Sequence, residues 1–207
     1  MRTLTPELHA HFKRRARKLS PTLARELGTL GPIGFPQRRY SDLTTHLARV
    51  VVGQQLSTSA ARSIWSRVEQ AATERGIALA ELCTADHAEA LRRCGLSAAK
   101  VKALAAIGTA ARDGRLSSRA LARLAHDARH AALCSIWGIG RWTADVTSMF
   151  YFREPDIWPD GDLTVRNTFA GFVAEQSALT PADAAALFAP HRSFLALYMW
   201  RIADRGP

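Results

Sequence analysis

Residues 138–145 read GIGRWTAD and follow the apolar run ALCSIW. Two glycines flank one isoleucine between two stretches of helix-like apolar spacing. The pattern is a tight turn between helices, in which glycine removes the Cβ barrier and Ile139 anchors the turn in the core. Backbone N–H groups at the start of a helix have no intrahelical acceptor, and the positive end of the macrodipole lies behind them. Such a start attracts a phosphate. A chance second glycine after a helix C-cap would look the same, so the turn alone does not settle function.

Outward from the turn, apolar residues recur at helical spacing along most of the chain and period-two alternation is nearly absent, which predicts an all-α fold. Ser41 is placed to cap a helix carrying Leu43, Leu47, Val50 and Val51 that stops near Gly53, and Ser57 to cap another carrying Ala60, Ala61, Ile64, Trp65 and Val68. Gln54 and Gln55 occupy the break. Ser97 opens a helix with Val101, Leu104 and Ala105 that ends by Gly114, and shorter helical segments are expected near 117–125 and 127–136. Residues 141–152 read as helix. REPDIWPDGD, residues 153–162, holds two prolines, a glycine and four acids and must be a loop. Helix resumes at about Leu163. Thr180-Pro-Ala-Asp183 is a capped start, and a last helix is expected over Pro190 to Ala203. The basic segment before residue 40, with Lys13, Arg14, Arg15, Arg17 and Lys18, is expected to be partly helical.

The 207 residues are 47% hydrophobic, enough for one compact unit or two small lobes without covalent staples. Lysine and arginine number 28 against 18 acids, a formal charge of +10. That excess suits a polyanionic partner, nucleic acid before an anionic membrane surface. Cys83, Cys94 and Cys134 fit neither a disulfide framework nor an iron-sulfur spacing and are expected to be small core residues. No N-terminal apolar run or long apolar stretch is seen, so a soluble intracellular protein is expected, cytoplasmic and monomeric. His126 and His130 could share a helix face, but no acid or cysteine cluster joins them. They read as surface residues rather than metal ligands.

Asp162 lies 22 residues beyond Gly140, directly before LTVRNTFAGF. It has two readings: an N-cap, or a carboxylate doing chemistry near developing positive charge, since a DNA-binding surface otherwise excludes acids.

With these residues in view, the chain resembles the helix-hairpin-helix DNA glycosylase superfamily, and within it the 3-methyladenine DNA glycosylase II branch. The resemblance spans about residues 45–203 in five ordered motifs: VVGQQLSTSAA at 51–61, CGLSAAKVKAL at 94–104, IWGIGRWTADV at 136–146, PDGDLTVRNTF at 159–169 and HRSFLALYMW at 191–200. It implies a helical fold of two lobes with the active cleft between them, about 41–155 as the central lobe and 1–40 with 156–207 as the second. No β-rich N-terminal domain of the kind found in longer members is expected.

The resemblance also implies roles. Asp162 matches the catalytic aspartate, and Gly138, Ile139, Gly140, Arg141 and Thr143 the DNA-gripping hairpin, with Na+ or K+ on its carbonyls as the one expected ion and no other cofactor. Gln54 and Gln55 match the wedge that fills the hole left by a flipped nucleotide. Where lyase-competent relatives carry a nucleophilic lysine, this chain has Trp142, which implies a monofunctional hydrolase acting on damaged double-stranded DNA. Trp142 and Trp200 coincide with aromatic base-pocket positions, where stacked rings bind a cationic methylated purine; each also reads as an ordinary core tryptophan. Val146 replaces another aromatic pocket position, which bears on base choice. Glycosylases for uracil, hypoxanthine or etheno bases, and a non-catalytic DNA-binding module, remain as alternatives.

Overall fold

The computed structural model describes residues 3–40, 42–173 and 178–205. Thirteen α-helices and one 3-10 turn lie among them, and the only β-type pairing is an isolated bridge between Thr3 and Gly34. The chain falls into two compact units, Met1–Gln37 with Ser148–Pro207, and Arg38–Thr147.

The first unit begins with α1 (Pro6–Leu19) and α2 (Pro21–Leu30), each with proline in its first turn and a hydroxyl cap, Thr5 accepting from Leu8 N–H and Ser20 from Leu23 N–H. The basic N-terminal segment is therefore mostly helical. Its Arg15 donates to the carbonyls of Leu187 and Ala189, so part of that charge run is structural. Phe12, Leu23 and Leu27 pack with Phe169, Phe188, Phe194 and Tyr198 in one core.

The second unit holds α3 (Leu43–Gly53), α4 (Thr58–Arg75), α5 (Leu79–Leu82), α6 (Ala88–Arg93), α7 (Ala98–Arg112), α8 (Ser118–Leu121) and α9 (His126–Cys134). Its core contains Leu47, Val51, Trp65, Val68, Leu104, Ile107 and Leu133. Ser57 and Ser97 cap α4 and α7 as their sequences predict. Ser41, expected to cap α3, lies outside the described residues; Asp42 is the cap, its carboxylate accepting from the amides of Thr44 and Thr45. The segment holding α5 and α6 gave no expectation. Those helices are shorter than two turns, too brief for a periodic signal.

Next, α10 (Arg141–Phe150) carries the chain from one unit to the other, the division falling between Thr147 and Ser148. It stops short of the expected 152 because Arg153 takes a left-handed conformation and Glu154 N–H turns back to Ser148 O. The first unit closes with α11 (Leu163–Val173), α12 (Pro181–Ala186) and α13 (Arg192–Ala203). The last helix starts two residues later than expected, for its cap comes from the loop: Asp156 accepts from the Arg192 backbone N–H at 3.0 Å. The same carboxylate takes both prongs of the Arg192 guanidinium, at 2.8 and 2.9 Å. Ser193 adds three bonds: its N–H to Pro155 O, its hydroxyl to Glu154 O, and Ile157 N–H to its oxygen. The acidic loop is thus bolted to the start of α13.

Burial by itself would raise the Asp156 carboxyl, but hydrogen bonds and charge from Arg192 outweigh it and hold the group below its ordinary value. Its contribution to stability is complete above the unfolded carboxyl value of about 3.9 and is lost as pH falls through the lowered folded value. Asp156→Asn should therefore lower the urea midpoint at neutral pH, with the gap to wild type shrinking toward pH 3 (about one unit below that reference). A gap constant with pH would mean that the ion pair contributes nothing.

Candidate functional site

In the second unit the hairpin joins α9 to α10. Ile139 is 3% exposed and its N–H returns to Ile136 O, so it pins the turn inward as its apolar character predicts. The two glycines have different causes. Gly138 has φ +86, and a Cβ there would lie 2.4 Å from Ala103 Cβ on α7. It is required by the protein's own packing. Gly140 has ordinary φ and nothing within 4 Å of a would-be Cβ. No internal contact forbids a side chain at Gly140. Its carbonyl accepts the first helical bond, from Ala144 N–H, so it occupies the cap position of α10. Eight other helices take a side-chain cap from the residue before them, Thr5, Ser20, Asp42, Ser57, Ser97, Ser117, Asp162 and Thr180, whereas the cap position of this one is a glycine.

The structure separates the two glutamines of the α3–α4 break. Gln54 Nε2 donates to Thr143 Oγ1 at 2.8 Å and reaches Gly138 O at 3.4 Å, which braces the hairpin. Thr143 is buried, so its hydroxyl serves this internal bond. Gln55, in contrast, is exposed with φ 54, and Leu56 beside it is also exposed. Lys100 on α7 donates to the carbonyls of Val52 and Gln54, both at 2.8 Å, closing the end of α3 with an ammonium where the helix dipole is negative. Burial lowers the Lys100 ammonium from its usual range. Neither Leu56 nor Lys100 was singled out from sequence; Lys100 sits in CGLSAAKVKAL, but its partners are reached only through the fold.

Trp142 on α10 is half-buried, Val146 is buried and Arg141 is exposed. His126 and His130 on α9 are half-buried rather than surface residues, a correction to the sequence reading: His130 Nε2 is 3.4 Å from Asp145 Oδ1 on α10. Among the described residues no group of three or more His, Cys, Asp or Glu is placed to hold a metal. The carbonyls of Ile136, Gly138 and Gly140 each accept one protein N–H and retain a second lone pair. Cys83 and Cys94 are buried as expected, while Cys134 is only half-buried.

In the first unit, Asp162 is 9% exposed and caps α11, its Oδ1 accepting from Val165 N–H at 2.9 Å. The same oxygen accepts from Trp200 Nε1–H on α13 at 3.2 Å. The Trp200 ring packs 5.6 Å from that of Phe150, as its reading as a core tryptophan expects, while its N–H holds the carboxylate. Asp160, two residues earlier, is exposed. A buried carboxylate gripped by a backbone amide and an indole has a fixed direction, as a group acting on a developing cation needs.

The all-α architecture with its glycine hairpin is that of the helix-hairpin-helix DNA glycosylases. The solved structure of the 3-methyladenine DNA glycosylase (Mag1) of Schizosaccharomyces pombe in complex with abasic DNA matches with TM-score 0.79 and 26% identity, covering 93% of this chain and 96% of that one. A DNA-3-methyladenine glycosidase from Bacillus halodurans matches with TM-score 0.75 and 26% identity over 98% of this chain and 93% of that one. In sequence, DNA-3-methyladenine glycosylase 1 of S. pombe is 30% identical over 162 residues, 75% of this chain and 70% of the relative. The chain belongs to the 3-methyladenine DNA glycosylase family. No family model matches it. Among the described residues no helix is long and apolar enough to cross a membrane.

The two glycines should respond differently to substitution. Gly138→Ala adds left-handed strain and a clash with Ala103 and should cost about 2 to 4 kcal/mol. Gly140→Ala should change stability by no more than about 0.5 kcal/mol. Urea unfolding of both variants checks this, and equal losses would contradict the division of roles.

Proposed function

We propose that this protein is a monofunctional DNA glycosylase of base excision repair, of the 3-methyladenine DNA glycosylase II branch, that removes alkylated purines from duplex DNA. The observation that carries the reading is Asp162, held by Val165 N–H and Trp200 Nε1–H within a chain whose relatives are 3-methyladenine DNA glycosylases. A solved relative binds abasic DNA, the product form of such a reaction.

A purine methylated at N3 of adenine or N7 of guanine carries a positive charge and leaves readily, so the enzyme needs no strong general acid. As the glycosidic bond breaks, the sugar becomes oxocarbenium-like. The Asp162 carboxylate stabilises that charge and orients the attacking water. Extruding the base costs a few kcal/mol of stacking, recovered by backbone contacts and by base contacts with Trp142 and Trp200, while Val146 leaves room that broadens base choice. Gly140, where an added Cβ would meet nothing within 4 Å, admits a phosphate to the start of α10. The second lone pairs of the hairpin carbonyls suit Na+ or K+. Of the α3–α4 break, Gln55 with Leu56 is the wedge, because Gln54 is committed to the hairpin. Trp142 stands where a lyase would have lysine, so the product is an unbroken abasic strand. We assign its action to the cytoplasm, at the nucleoid in a bacterium.

Asp162→Asn keeps the α11 cap and removes the charge. Single-turnover release of 3-methyladenine should fall at least about 100-fold, while affinity for abasic duplex is retained. A near wild-type rate would overturn the assignment and make Asp160 the carboxylate to test. The same assay with deaminated and etheno-containing DNA separates this reading from a uracil, hypoxanthine or etheno-base enzyme.

Borohydride reduction during incubation with abasic duplex should trap no covalent protein–DNA adduct. A trapped adduct would place an amine nucleophile in the site and end the monofunctional reading.

A further inference from the structure

Trp137 immediately precedes the hairpin glycines and is 47% exposed. Core packing does not account for so large an aromatic surface at a turn, and isolated tryptophans left half in water commonly mark contacts. Lys102 on α7 holds its Nζ 4.4 Å from the centre of the Trp137 ring. Consecutive residues of α7 therefore support the turn, Ala103 packing under Gly138 and Lys102 lying against Trp137. The ring restrains an otherwise flexible ammonium, fixing a positive charge beside Gly138, the first glycine of the hairpin.

We propose that Trp137 and Lys102 form a second DNA-backbone contact beside the hairpin, Lys102 taking a phosphate and the exposed face of Trp137 lying against the adjoining deoxyribose. This rests on the reading of the hairpin as the DNA-gripping turn. Three features favour DNA as the occupant: the pair is continuous with that turn, the ammonium is preoriented, and the chain carries a net charge of +10. The contact is blind to sequence and to damage, so it strengthens search along undamaged duplex as much as the product complex.

The test is fluorescence-anisotropy titration of undamaged and abasic duplexes over a range of salt concentrations, with wild type, Lys102→Gln, Trp137→Ala, Trp137→Phe and Gly140→Asp in parallel. Lys102→Gln should weaken both duplexes roughly threefold or more and lower the slope of log K against log salt by about 0.9, the loss of one phosphate contact. Trp137→Ala should weaken both likewise, and Trp137→Phe less. If Lys102→Gln and Trp137→Ala match wild type in affinity and slope while Gly140→Asp binds weakly, the pair is not a DNA contact and the hairpin reading stands. Wild-type behaviour in all three would remove the hairpin reading as well. A lower melting temperature for Trp137→Ala with unchanged binding identifies the pair as an internal brace and overturns the proposal; should that variant not fold, Lys102→Gln on the exposed face of α7 decides.

Discussion

The grip of Ser193 and Arg192 on the acidic loop is the constraint on which the first unit's chemistry depends. A ten-residue stretch with two prolines cannot satisfy its backbone by forming a helix or a ladder. Its polar groups at Glu154, Pro155, Asp156 and Ile157 are instead met by the first two residues of α13. That junction fixes where the loop ends and hence where α11 begins. Asp162 caps α11, and α13 carries Trp200 back to it eight positions beyond Arg192. One carboxylate is aimed by elements that meet at both ends of the loop.

In the second unit the organising contact is the approach of α7 to the hairpin. Gly138 lets the turn come down on Ala103, and Lys100 on the same helix secures the end of α3. Gln54, leaving α3, returns a bond to Thr143. The turn and the α3–α4 break are therefore one assembly, in which movement of either disturbs the other's hydrogen bonds. Gln55 in a left-handed conformation is a local cost of order 1 kcal/mol that this bracing sustains.

Much of this was legible in the sequence for identifiable reasons. The all-α class came from a single dominant period, and the starts of α4, α7 and α12 from short local bonds between a hydroxyl and an amide three residues on. The hairpin and Asp162 were legible because glycine and an isolated acid are conspicuous by type. The bond from Asp156 to Arg192 was not: it joins residues 36 apart and advances the start of α13 past Pro190. Nor could sequence divide the roles of Gly138 and Gly140, or of Gln54 and Gln55, since each pair is identical in type and differs only in what the fold brings near. The half-burial of His130 is not legible either, because Asp145 reaches it across the turn.

The contact between Gly138 and Ala103 ties two distant positions into a single unit of heredity. With 2.4 Å between Ala103 Cβ and a would-be Cβ at 138, a methyl group at one site is tolerable only if the other has none. Related chains should therefore drift at these positions in concert, holding a small residue on α7 wherever the turn keeps its glycine. A lineage that enlarged residue 103 would have to lift the turn away from α7, and with it the start of α10. The evolutionary freedom of the hairpin is thus limited from beneath, by the methyl group of Ala103.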